Sequence, residues 1–130
     1  MRKIILSVAI ATISLTSAFS QEEKKTSSET VEQATINDIT FGVRGNCGMC
    51  KRTIEKAANS VDGVTKAFWD VEKKKIDVSF DASKTNELAI HEAIAASGYD
   101  TDKAQGDTKV YDNLPGCCQY DHQMKMKQLD

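Results

Sequence analysis

The sequence predicts an α+β fold, a ferredoxin-like βαββαβ sandwich in which two helices cover one face of a four-stranded antiparallel sheet. Three observations carry that expectation. Apolar residues alternate with polar ones in three short segments, two intervening segments repeat them at helical spacing, and a glycine closes each helical segment.

The first strand is read from Ile39, Phe41 and Val43, which alternate with Thr40 and Gly42. The first helix follows, with Cys50, Ile54, Ala57 and Val61 on one stripe, Lys51, Arg52, Glu55 and Lys56 facing water, and Gly63 as the stop. Ala67, Trp69 and Val71 then alternate with Phe68 and Asp70, "EKKK" (72–75) makes a solvated turn, and Ile76, Val78 and Phe80 alternate with Asp77 and Ser79. This is a hairpin, with Phe68 on the open face of the sheet. "DASKTN" (81–86) supplies helix-capping residues, Ile90, Ala93, Ile94 and Ser97 mark the second helix, and Gly98 ends it. His91, one position after Ile90, is expected on the surface. "YDTDKAQ" (99–105) supplies the fourth strand.

The remaining segments flank this unit of residues 36–106. Residues 1–20 have a basic start (Arg2, Lys3), an apolar run and small residues Ala18 and Ser20, the pattern of a cleavable signal peptide. Export to the periplasm or outside the cell is therefore expected, with no membrane insertion after cleavage. Residues 21–35 are polar and charged, too poor in apolar groups to repay ordering, and read as a flexible leader. Residues 107–130 read as a tail beyond the fold, with Pro115 and Gly116 marking a turn.

Loss of residues 1–20 takes the formal charge from −2 to about −4, because it removes Arg2 and Lys3 and no acid. A mildly acidic chain with its lysines scattered among glutamates has no basic face for nucleic acid.

The chemistry concentrates in the cysteines. The four present fall as one C-x-x-C, Cys47 and Cys50, and one adjacent pair, Cys117 and Cys118. Paired locally, neither spacing closes a loop long enough to staple a fold, although cross-pairing stays open. Cys47 falls in the first loop and Cys50 in the first helical turn, where free N–H groups and the positive end of the helix dipole favour thiolates. Lys51 and Arg52 are expected to add to that effect and to be balanced by an anionic occupant. Two thiolates suit soft ions of low coordination number, copper(I) first and mercury(II) by the same reasoning. Zinc(II) is the weaker candidate, since a structural zinc site takes four ligands and Asn46 stands where an acid would help a harder ion. Met49, inside the C-x-x-C, reads as an exposed loop residue. In the tail, Cys117, Cys118, His122, Met124 and Met126 are all copper-compatible donors, and they are candidates for a second ion or for a cover over Cys47 and Cys50.

Residues 36–106 resemble the heavy-metal-associated domains, the family of copper chaperones, amino-terminal domains of metal-transporting ATPases and the periplasmic mercury-binding protein. The resemblance lies in "CGMCKRTIE", "VDGVTKAFWDVEKKKIDVSF" and "AIAASGYD". It implies that Cys47 and Cys50 bind the metal and that Tyr99 lies close by and shields or hydrogen-bonds the site. The family's usual pattern carries a methionine two residues before the first cysteine, where this chain has Gly45. The expected activity is then capture and delivery of copper(I) by thiolate exchange with a metal-transporting or metal-accepting protein, without enzymatic turnover. Mercury(II) scavenging is one alternative. A thiol-disulfide redox protein using the same pair, with Cys117 and Cys118 as resolving couple, is the other.

Overall fold

A computed structural model describes residues 34–126 of the chain. The proposed signal peptide and all but the last two residues of the leader lie outside these described residues. The elements run β1 (Ile36–Gly42), α1 (Gly48–Asn59), β2 (Val64–Asp70), β3 (Lys75–Asp81), α2 (Glu87–Ala96), a short helix α3 (Thr108–Asp112) and a single 3₁₀ turn at Gly116–Cys118. The strands form an antiparallel sheet in the order β1-β3-β2. Its register lines up the inward residues across all three strands: Phe41, Ile76 and Trp69 form one row, and Ile39, Val78 and Ala67 the next. Those rows pack against Cys50, Ile54 and Ala58 of α1 and Ile90 and Ile94 of α2.

Local chemistry fixes the ends of these elements. Asp70 accepts the backbone N–H groups of Glu72 (2.9 Å) and Lys73 (2.8 Å), which ties the lysine-rich turn. The Asn86 side chain caps α2 by accepting from the Ala89 N–H at 3.0 Å. Gly98, at φ +94°, makes the left-handed exit of α2, and Gly63, at φ +97°, makes the turn that leads into β2, conformations that other residues resist.

The sheet has three strands among the described residues, not four. Residues 99–105 leave only an isolated bridge, Val43 to Thr101, flanked by Arg44 N–H to Asp100 C=O (2.9 Å) and Asp102 N–H to Gly42 C=O (3.2 Å). The segment curls instead of extending because its acids find backbone donors: Asp100 accepts from Gly106 N–H (2.8 Å) and Asp102 from Gly42 N–H (2.6 Å). Thr101 then closes a turn on Ala104.

His91 also departs from expectation, being fully buried. Its ring stacks on Phe41 at 3.8 Å and its Nδ1 shares a hydrogen bond with Thr101 Oγ1 at 2.6 Å. The curl at Thr101 roofs a second face of α2, and burial lowers the histidine's pKa, which favours the neutral ring.

The C-terminal segment is integral to the core: Cys118 and Tyr120 are buried with the strand and helix residues, and Leu114 and Met124 pack against them. The Tyr120 hydroxyl accepts from Asp100 N–H (2.8 Å) and donates to Gly98 C=O (2.9 Å). Tyr111 packs edge-on against its ring and donates to its carbonyl at 2.6 Å. Arg44 holds the chain farther on, donating from Nε to Met124 C=O at 2.7 Å.

Candidate metal centre

Cys47 is the N-cap of α1, in extended conformation, and Cys50 lies in its first turn, which contains no acidic residue. Their sulfurs are 3.7 Å apart. The Cys118 sulfur stands 4.0 Å from that of Cys47, and the three sulfurs all lie within 4.8 Å of one another. Cys50 and Cys118 are buried, whereas Cys47 is partly open to solvent. The Asn46 N–H points at the Cys50 sulfur at 3.3 Å.

Cys47 makes no short capping bond, yet the N–H groups of Cys50 and then Met49 are the strongest influences on its sulfur. They lower its pKa to about 7, so a large fraction is thiolate at neutral pH. Burial does the opposite at Cys118, pushing that thiol up to about 12. One edge of the cluster is therefore charged and exposed, and another is neutral and dry.

Lys51 does not supply the acidifying field expected of it, and neither it nor Arg52 is among the main influences on Cys47. The Lys51 ammonium is held by Glu55 Oε1 (2.5 Å) and Trp69 C=O (2.6 Å) and lies 3.6 Å above the Phe68 ring. Glu55 Oε1 in turn accepts the Trp69 N–H at 2.9 Å. Together the pair closes the exposed backbone of the edge strand β2, a structural task that sheet edges require. The expected result is that replacing Lys51 and Arg52 together by Ala leaves the Cys47 titration near 7. Alkylation rate against pH checks this, and a midpoint displaced by a full unit would restore the lysine and arginine to the site.

Beneath the loop, Trp69 leaves little room at Gly45. A side chain at Gly45 would begin 3.0 Å from the indole and 3.2 Å from Cys50 Cβ. The Trp69 ring, which is fully buried and donates to Val43 C=O at 3.1 Å, fills the space. Tyr99 is fully buried, and its hydroxyl makes no well-formed hydrogen bond among the described residues, having only the Cys50 and Cys118 thiols beside it. Burial raises its pKa, with the Cys50 and Cys118 thiols as the next influences, so the phenol stays protonated beside the sulfurs.

The tail donors separate. Cys118 enters the cluster, whereas Cys117 is exposed, its thiol directed to the Met49 sulfur at 3.8 Å. His122 binds the Asp100 carboxylate at 2.7 Å. Met124 packs against the core, and Met126 lies over Gly42, where an added Cβ would meet the methionine's own Cβ at 2.6 Å. Asn46, whose role sequence reasoning missed, points its carboxamide at the carbonyls of Cys117 and Gln119, each at 3.4 Å, and so joins loop to tail. Tyr120 was likewise missed, although an aromatic two residues after a cysteine pair was a visible signal.

Comparison with known proteins agrees with this arrangement. Residues 41–100 match the heavy-metal-associated domain profile. The chain is 40% identical over 55 residues to the copper chaperone CopZ of Staphylococcus aureus (strain JH9), which spans 42% of this chain and 81% of that relative. Oxidized MerP from Ralstonia metallidurans CH34 superimposes with a TM-score of 0.50 at 32% identity, over 52% of this chain and 94% of that one. With 81% of a relative covered at this identity and the profile running from Phe41, near the end of β1, to Asp100, just past α2, the chain belongs to the heavy-metal-associated domain family.

Proposed function

We propose that this protein is an exported carrier of copper(I), which it captures on Cys47 and Cys50 and hands to a metal-accepting protein by ligand exchange. The observation that carries the reading is the sulfur pair itself, 3.7 Å apart at the amino end of α1, with Cys47 partly open and Cys50 buried. Soft thiolates favour copper(I) and mercury(II) over ions that take oxygen ligands. The similarity to the copper chaperone CopZ supports copper, and the softness of the thiolate pair keeps mercury(II) as the second ion.

Transfer follows from the unequal exposure of the two sulfurs. An incoming thiolate reaches the ion from the Cys47 side, displaces that ligand first, and the buried Cys50 lets go last. No substrate bond is made or broken, so the protein has no need of a general acid or base. Export rests on residues 1–20, and among the described residues no helix is long and apolar enough to cross a membrane.

Native mass spectrometry of the reduced mature chain tests this, with copper(I), zinc(II) and mercury(II) offered in competition with a chelator. One retained copper(I), lost in Cys47→Ser and in Cys50→Ser, is the expected result. Retention of mercury(II) alone would reassign the ion. No retained ion, together with efficient disulfide exchange, would move the reading to redox chemistry.

A further inference from the structure

We propose that Cys118 is a third ligand of the metal site, so that the C-terminal segment completes a three-sulfur triangle over Cys47 and Cys50. The inference rests on the metal-carrying reading above and adds the coordination number and the ligand that sets it.

The separations favour three sulfurs over two. With a metal–thiolate bond of about 2.3 Å, the length known for zinc, a planar three-sulfur set has edges of about 4.0 Å and a linear pair spans about 4.6 Å. The Cys47 sulfur lies 3.7 Å from Cys50 and 4.0 Å from Cys118, close to the trigonal edges and short of the linear span. The third edge also falls within the 4.8 Å envelope of the cluster.

This placement is built by the fold and does not depend on two adjacent cysteines lying near a loop by chance. Cys118 ends a 3₁₀ turn, and Tyr120, two residues on, is locked by hydrogen bonds to the backbone of Gly98 and Asp100. Asn46 faces the turn from the cysteine loop. Cys117 is excluded from the same ion: its sulfur lies 3.9 Å from that of Cys118 but outside the group of three that are all within 4.8 Å of one another, its thiol is directed to Met49, and it is its carbonyl, at 3.8 Å, that approaches Cys47.

A second observation points to an occupant. The Tyr99 hydroxyl is buried with no well-formed hydrogen bond, and the only acceptors beside it among the described residues are the Cys50 and Cys118 thiols, a weak satisfaction for a polar group in a dry site. Thiols are weak acceptors, but a metal-bound thiolate carries the negative charge that makes it a good one. Binding of copper(I) by three thiols releases three protons in all, counting any already lost from Cys47, and leaves a site of charge −2. The Tyr99 hydroxyl, the Asn46 N–H and the amino end of α1 are the groups that face that charge.

The test is copper-edge X-ray absorption with chelator competition on the reduced mature chain, loaded with one copper(I) per monomer. Wild type and Cys117→Ser are expected to show three sulfur neighbours. Cys118→Ser and Cys118→Ala are expected to show two and to hold copper(I) at least tenfold more weakly, with circular dichroism confirming that they fold. Two sulfurs in wild type would overturn the proposal even if the Cys118 variants did not fold. Unchanged sulfur number and affinity in those variants would also overturn it, as would a third sulfur that appears only in a dimer or is lost in Cys117→Ser. Those failures leave the carrier reading intact, because Cys47→Ser still loses the ion. Only the absence of copper(I) from wild type removes both.

Discussion

Trp69→Ala is expected to lower stability by about 3–5 kcal/mol, the usual cost of emptying a large aromatic site in a core. The indole is fully buried, lies in the row formed with Phe41 and Ile76, and supports the cysteine loop from below. A domain of this size has roughly 5–15 kcal/mol in total, so the variant loses a large fraction of it. At about 4–8 °C per kcal/mol, the melting temperature should fall by well over 10 °C. Urea and thermal unfolding followed by far-ultraviolet circular dichroism measure it, and a loss below about 1 kcal/mol would mean that the loop packs on something else.

The same position makes a more discriminating test through Gly45. Gly45→Met, which restores the family's usual residue, is expected to destabilise the wild-type background because its Cβ would start 3.0 Å from the indole. In a Trp69→Ala background the methionine has space to enter, so the two costs should not add. An interaction of about 1 kcal/mol or more in the favourable sense is the expected outcome of the cycle. Additive costs would show that the two residues do not compete for one volume. A favourable interaction would give the glycine at this position a physical account, since Trp69 reaches from the sheet into the space that a side chain at Gly45 would enter.

How far the sequence speaks depends on how local the deciding contact is. The strand alternation of Ile39, Phe41 and Val43, the helical stripe through Cys50 and Ile54, and the caps at Asn86 and Gly98 are decided within a few residues, so they are readable in order along the chain; farther along α1 the buried position is Ala58, with the expected Ala57 and Val61 only partly buried. The position of Cys47 and Cys50 at the start of α1 follows from the same local rules. The fourth strand was not readable, because Asp100 and Asp102 take backbone donors from Gly106 and from β1 that no alternation pattern announces. His91 was hidden for the same reason: it sits off the main stripe of α2 and is covered by Thr101. The candidate site was half legible. The donor types in the tail could be named from composition, but the choice of Cys118 over Cys117, His122 and the methionines is made by Tyr120 and Asn46 through contacts about 20 and about 70 residues distant in sequence. Lys51 shows the converse hazard. A cation next to a cysteine in sequence reads as a neighbour of the sulfur, whereas the helix turns it toward the unpaired backbone of β2.

Tyr120→Phe is expected to release the C-terminal segment more than it unfolds the domain. The variant keeps the ring contacts to Tyr99 and Tyr111 but deletes the oxygen that serves both Asp100 N–H and Gly98 C=O. Each group left buried without a partner costs about 1–3 kcal/mol. The chain can limit that cost by lifting the segment so that water reaches both groups, and the sheet with α1 and α2 need not open to do so. The signature is therefore local. Alkylation of Cys118, which is buried and protonated in the wild type, should accelerate at least tenfold, corresponding to about 1.4 kcal/mol, and the Asp100 amide should exchange faster. Cys117 is already exposed, so its alkylation rate should stay nearly constant and serves as the internal reference. The urea midpoint should fall by less than that of Trp69→Ala, because the tyrosine hydroxyl secures a segment and the indole fills the core. A Cys118 that stays protected in Tyr120→Phe would place the hold on the tail elsewhere, with Asn46 on the Cys117 and Gln119 carbonyls, Arg44 on the Met124 carbonyl and His122 on Asp100 among the other ties. Faster alkylation of Cys118, by contrast, would make Tyr120 the residue that decides whether the third sulfur is available to an ion.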